Sequence, residues 1–440
     1  MSSYPMVSHE WLIDVMTFLF HSKFGYEILA FIYTFLVFLV VLILFKIFSQ
    51  IKKSDSKKLP SAIIILLFCS VIISFTGVRP QVVGWVFFVY LIKVLFYSEK
   101  KAVWKLPFIF FIWGNMHGSF SAGLLAFAIT IFARILSARK LDSLLISIFL
   151  LSALSTLINP YGIGTWKEVW TSVTDNSLRW RIGEWMPGIF SFNPGIIMIT
   201  TLTATLIFRY KRRFAPDKLS IFIIFLLLGV SSARHLPLLI LVASTLLYQG
   251  LAYFSEEFKA KKEILRRFNV VLKWAVILSL IIFVYSWYEA FKIVQKVSLY
   301  SFYPKSAVEY LSHNLTEGNM FSMYGWGGYL MWKLPEKKVF IDGRMPSWRW
   351  NTNLENESNY AMQEYIAIFT GGISFEEVSE KYDIDIALLS LQKPNESWLS
   401  NRIKQLVKKQ DVRFSLIEEL NRLKWRKTYE DEVAVIYQKN

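Results

Sequence analysis

Three histidines, two arginines and a pair of carboxylates stand at the ends of apolar runs in this chain, where ionisable side chains are costly and more often functional than ornamental. Ser8-His9-Glu10-Trp11-Leu12, followed by Asp14, precedes the first long apolar run. A carboxylate there, Glu10 or Asp14, can take a proton from a hydroxyl as a general base. Arg79 is set between Val78 and Pro80-Gln81, and Arg234-His235 lies in the turn Ser231-Ser232-Ala233-Arg234-His235-Leu236-Pro237. Arginine presents a planar fork of donors that suits a phosphate. Asn115 and His117 fall within Trp113-Gly114-Asn115-Met116-His117-Gly118, whose two glycines allow close backbone approach. The pattern points to Glu10 or Asp14 as base, and to Arg79, Asn115, His117, Arg234 and His235 around one anionic group.

Each of these also has an ordinary reading. Arginines near a membrane rim snorkel to headgroups, and a polar break between helices is satisfied by its neighbours. The N-terminal segment, with Trp11, Phe18 and Phe20, reads equally as an interfacial amphipathic helix with solvated charges. Asn159-Pro160-Tyr161-Gly162 is plain turn chemistry. The loop from there to Asn193, with Arg179, Arg181, Glu184 and Trp185, reads as amphipathic helices on a membrane surface. Farther on, Gly325-Trp326-Gly327-Gly328-Tyr329-Leu330 precedes an apolar strand, Val339-Phe340-Ile341, that ends in Asp342-Gly343-Arg344. Strand ends often build sites, yet Asp-Gly is also an ordinary turn, so a structural role is favoured for Asp342 and Arg344. Glu184, Asp342 and Arg344 form a second set, either acceptor-binding or structural. No metal-ligand spacing stands out; a divalent ion, Mg or Mn, could replace one cationic partner but nothing demands it.

The elements that must position these groups are apolar helices. Ten stretches run roughly over 26–48, 60–77, 82–97, 106–113, 121–136, 143–158, 194–208, 219–230, 237–254 and 270–288. Several fall short of the ~20 residues a spanning helix needs, so they tilt or lie partly buried. Connections near 49–58, 98–105, 134–142, 208–218 and 255–268 hold 20 Lys and Arg, against 5 in the four intervening connections. The first group is therefore expected on the cytoplasmic side, which leaves both termini extracytoplasmic in a multi-pass plasma-membrane protein. The formal charge of +16 follows the same pattern, because residues 291–440 hold 20 basic and 19 acidic side chains. A nucleic-acid partner is accordingly not expected. Cys69 is the lone cysteine, which excludes an intrachain disulfide, and three sequons at Asn314, Asn356 and Asn395 are too short to weigh.

The expected architecture is an outer amphipathic segment (1–25), an α-helical polytopic membrane bundle of about 10 spans (26–290) and a small C-terminal α/β extracytoplasmic domain (291–440). In the last, helices are expected at 304–313, 358–369, 375–381 and 396–409, with strands at 338–341, 385–390 and 433–438. Their alternation suggests a largely parallel sheet.

Taken together, His9-Glu10-Trp11-Leu12, Arg79-Pro80-Gln81, Trp113 to Gly118, Asn159-Pro160-Tyr161-Gly162, Glu184-Trp185, Arg234-His235 and the block from Gly327 to Arg344 resemble prokaryotic membrane proteins related to the glycosyltransferase C superfamily. The resemblance spans nearly the whole chain. It implies transfer of a sugar from a polyprenyl-phosphate donor to a glycan or protein acceptor at the outer leaflet. Members usually carry their acidic catalytic residue in the first outer loop, after an extra N-terminal helix and often in an Asp-x-Asp pair. Neither feature precedes Glu10, so either Glu10 or Asp14 substitutes or the protein is a shortened, inactive relative. Two other classes fit less well. A polysaccharide polymerase or ligase usually sets its large outer segment between spans, and a non-catalytic transporter or assembly protein needs ionisable groups at mid-membrane, where most of these spans are uncharged.

Overall fold

The computed structural model describes residues 7–51, 58–174, 182–191, 193–258, 262–296, 302–314, 318–343, 361–391 and 415–440. Arg179, Arg181, Arg344, the sequons at Asn356 and Asn395, the expected helix at 396–409 and most of the basic connection at 49–58 lie outside the described residues. The chain divides into two compact units, Val7–Ala290 and Phe291–Asn440.

In the first unit, each apolar stretch read from the sequence falls on a helix of its own. These are α1 (Trp11–Ile51), α2 (Lys58–Ile72), α3 (Gln81–Tyr97), α4 (Leu106–Met116), α5 (Phe120–Ala138) and α6 (Ser143–Ser155), then, after the short α7 (Ile163–Thr174), α8 (Pro194–Tyr210), α9 (Pro216–Ser231), α10 (Leu236–Glu257) and α11 (Lys262–Lys296). Four stretches are long and apolar enough to cross a membrane: Trp11–Ile51, Phe120–Ala138, Ala233–Glu257 and Arg266–Lys292. The other six helices have 11 to 17 residues. At 1.5 Å per residue the shortest reach only about half of a ~30 Å hydrocarbon core. The expected ten crossings thus correspond to ten apolar helices, of which four have the dimensions of a span.

Sequence composition sorts these helices by position. In α10 almost every residue from Leu236 to Gly250 is buried, as suits a helix apolar on all sides at the centre of a bundle. Its Tyr248 ring stacks on Phe48 of α1 at 4.4 Å. By contrast α11 is apolar but outward-facing, with Val271, Trp274 and Ile281 exposed, as expected of a helix that faces lipid. Helix α1 bends at Gly25, where φ is +80° and only glycine sits without strain. The bend separates the Trp11–Phe24 arm from the long apolar run.

The second unit is smaller. It contains α12 (Lys305–His313), β1 (Asn319–Ser322), α13 (Gly327–Lys333), α14 (Ala361–Phe369), α15 (Phe375–Lys381), β2 (Ile384–Ser390), α16 (Leu416–Arg422), β3 (Arg426–Glu430) and β4 (Ala434–Gln438). Its sheet has the order β1-β2-β4-β3, with β1 parallel to β2 and the other two pairings antiparallel. This corrects the expectation of a largely parallel sheet. The reason is a hairpin: Asp431 Oδ1 accepts from the backbone of Val433 and Ala434, at 2.7 Å each, and turns β3 back onto β4. The expected strand at 338–341 forms only one bridge, Met320 to Val339, although Phe340 and Ile341 are buried. Conversely β3, Arg-Lys-Thr-Tyr-Glu, reads as polar because it is a charged edge strand.

Candidate active site

The N-terminal arm brings the first carboxylate to the end of α4. Trp11 Nε1 donates to Asn115 Oδ1 at 3.0 Å, and Asn115 Nδ2 donates to the carbonyls of Phe111 (2.8 Å) and Ile158 (2.9 Å). Asn115 is buried and its amide is consumed in tying the arm, α4 and the end of α6 together. It is a staple rather than a ligand.

Two residues beyond, His117 ends α4 in an extended conformation and is buried. Its Nδ1 accepts the Ser119 backbone N–H at 3.0 Å and lies 2.8 Å from Ser119 Oγ, which itself accepts from Trp113 Nε1 at 3.0 Å. An Nδ1 that accepts a backbone N–H carries no proton, so the neutral ring is protonated at Nε2. That atom stands 3.1 Å from Glu10 Oε1, and His9 Nε2 is 3.6 Å from the same oxygen. Burial opposes charge on Glu10, but the contacts with His117 and His9 outweigh it and hold the carboxyl well below its ordinary 4.5. Burial likewise pushes His117 below 6.5 against the pull of Glu10, with Arg234 and His9 adding to the downward push. A neutral Nε2–H imidazole beside an ionised carboxylate is the state that both shifts favour. The second oxygen of Glu10, Oε2, takes no partner among the described residues, and the side chain is 25% exposed.

A cleft enclosing ≈ 650 Å³, part of it open to solvent, adjoins this cluster. Its walls include His9, His117, Gln81 and Trp85 of α3, Trp185, Arg234 and His235. Arg234 lies over the Trp185 ring at 5.0 Å, a cation–π contact that holds the guanidinium in place. The Trp185 turn is fastened in turn: Ser232 Oγ donates to the Glu184 carbonyl at 3.2 Å, and the Ala233 backbone N–H to the Met186 carbonyl at 2.8 Å.

Chain direction explains the assembly. The start of α3, the end of α4 and the start of α10 all lie at this one end of the helical unit, whatever their separation in sequence.

At the level of fold, the chain is similar to an archaeal oligosaccharyltransferase. The solved structure is that of AglB from Archaeoglobus fulgidus in complex with an inhibitory peptide and a dolichol-phosphate, with a TM-score of 0.52 and 12% sequence identity. The likeness covers 88% of this chain and 62% of AglB, so the chain spans less than two thirds of that protein's length. At that identity the likeness is one of fold. No family model and no curated protein matches the chain.

The expected site residues divide accordingly. His117, Arg234 and His235 share the cleft, and Glu10 touches two of its walls, His9 and His117. Asp14 is exposed one helical turn along, 3.3 Å from Ser8 Oγ, and does not line the cleft. Arg79 does not line it either: its Nη1 pairs with Glu184 Oε1 at 2.6 Å, both side chains about half exposed. Asp342 is buried within the C-terminal unit. His9 and Trp185, both within motifs named from the sequence, and Ser119 are given no role there, yet all three line the cleft. The His9-Glu10 and Glu184-Trp185 dipeptides held the signal for two of these. Among the described residues no group of three or more His, Cys, Asp or Glu is arranged to hold a metal ion.

Proposed function

We propose that the protein is a multi-pass membrane glycosyltransferase that moves a sugar from a polyprenyl-phosphate donor to a glycan or protein acceptor at the outer face. The observation that carries this reading is one cleft that gathers three imidazoles and a fixed guanidinium from three distant stretches of chain, with an ionised carboxylate against two of its walls. The fold it shares with a protein solved with a dolichol-phosphate and a peptide supports the same class of donor and acceptor.

In the reaction, Glu10 Oε2 takes the proton of an acceptor hydroxyl or amide as the acceptor atom attacks the anomeric carbon. The bond from that carbon to the phosphate oxygen breaks, and the phosphate leaves with the electron pair. Arg234 and His235 donate hydrogen bonds to the oxygens on which this charge grows. His117 positions Glu10 and keeps it ionised. Asp14 and Arg79 stand outside the chemistry.

The test is transfer itself. Purified protein in liposomes is given polyprenyl-phosphate carrying a radiolabelled hexose, together with acceptor lipids or peptides. Label should pass from the donor to acceptor with wild-type protein and not with empty liposomes. A donor that stays intact with every acceptor class, while the protein remains folded, overturns the reading.

A further inference from the structure

A second cleft, away from the transfer site, has the makings of an anion site. It is lined by Lys100, Arg134, Lys140, Asp142 and Asp217, with Leu141 and Pro216 among its apolar walls. Three helices fix where it lies. Helix α5 starts beside Ser119 at the first cleft and ends at Ala138 beside the second; α9 runs from Pro216 at the second to Ser231; and α3 runs from Gln81 at the first to Tyr97, whose neighbour Leu95 touches Arg134. Sixteen to nineteen residues at 1.5 Å each separate the two clefts by about 25 Å, close to the thickness of a bilayer core.

The acids in this cleft are already engaged. Asp142 caps α6 by accepting the Leu145 backbone N–H at 3.2 Å, and it pairs with Lys100 at 3.3 Å. Asp217, in the first turn of α9, takes Arg134 Nε at 2.7 Å. Arg134 is held further by Nη2 donating to the Leu95 carbonyl at 2.7 Å, which leaves Nη1 without a hydrogen bond among the described residues. Lys140 is exposed and makes no ion pair among the described residues. Three cations against two acids leave one positive charge in excess, with an oriented arginine among them.

The surroundings favour a lipid over a soluble anion. Leu141 is 65% exposed at the wall of the cleft, and Trp104, between Lys101 and Lys105, is 61% exposed, as aromatic residues are at a membrane interface. Basic pockets between helices hold the headgroups of anionic lipids in just this setting.

We propose that this cleft binds the phosphate headgroup of an anionic lipid in the leaflet opposite the transfer site. Lys100, Lys140 and the free edge of Arg134 hold the phosphate, and Leu141 and Trp104 meet the upper acyl chain. Occupancy ties the ends of α5, α6 and α9 together from the far side of the bundle.

Native mass spectrometry of the full-length protein tests this, with release from nanodiscs of phosphatidylcholine and phosphatidylglycerol followed by stepwise delipidation. Wild-type protein should keep phosphatidylglycerol in preference to phosphatidylcholine after bulk lipid is lost. The double variant Lys100→Gln, Lys140→Gln should retain at least fivefold less. Both positions are exposed and the variant should melt as wild type does, so a failure to fold does not mimic the result. Millimolar inorganic phosphate should not displace the lipid; displacement would assign the site to a soluble phosphate and overturn the lipid assignment. Equal retention by variant and wild type would reduce these cations to snorkelling side chains and overturn the site itself.

Discussion

At the scale of single residues, the tautomer of His117 governs the cluster. Because the Ser119 backbone N–H occupies Nδ1, the only proton sits on Nε2, facing Glu10. This arrangement has a consequence for stability. The folded-state pKa of His117 is depressed below 6.5, so the unfolded chain binds that proton first and stability falls as pH drops below 6.5. Glu10, also depressed, contributes stability above 4.5 that is lost only as pH falls through its lower folded value. Thermal unfolding in detergent between pH 7.5 and 5 should show the first loss in wild-type protein, and His117→Gln should flatten that part of the curve. Arg234→Gln should raise KM for the donor by roughly 10- to 100-fold, the scale of a hydrogen bond to a charged group, with a smaller change in the melting temperature. Much of this cluster was legible from residue type and position, since Glu10, His117, Arg234 and His235 each stand at an apolar run's end on the lysine-poor side. The capture of Arg79 by Glu184, 105 residues away, was not, because an ion pair between distant loops leaves no trace in local pattern.

At the scale of elements, close packing holds the cluster in place. A Cβ added at Gly84 of α3 would collide with Ser119 Oγ and come within 3.4 Å of His117 Nδ1. Gly84→Ala should therefore push Ser119 away and cost about 1–3 kcal/mol of stability, as overpacking does. Gly183→Ala is the matched control, since nothing lies within 4 Å of its added Cβ, and it should change stability by no more than about 0.5 kcal/mol. The apolar helices were readable because each announces itself by an uninterrupted run bounded by turns or charges. The C-terminal sheet was harder. Short apolar runs such as Val339-Phe340-Ile341 are buried whether or not their backbone joins a ladder, and a charged edge such as Arg426-Lys427 hides a strand.

At the scale of the whole molecule, the proposed outer-face reaction requires the transfer cleft outside and the Lys140 cleft on the cytoplasmic side, the orientation expected from the alternation of basic connections. In a Cys69→Ser background, single cysteines at Ser172, in the wall of the first cleft, and at Lys140 should respond differently to an impermeant maleimide. Position 172 should be labelled in intact right-side-out vesicles, and position 140 only after they are opened. Labelling of both from one side would remove the topology on which the outer-face reaction rests. The most direct test of the account as a whole compares two carboxylates a helical turn apart. Glu10→Gln and Asp14→Asn are each measured for transfer of labelled sugar in reconstituted liposomes. Glu10→Gln should lower turnover at least about 100-fold while Asp14→Asn stays near wild type. Undiminished transfer by Glu10→Gln would contradict the assignment of the base and the mechanism built on it.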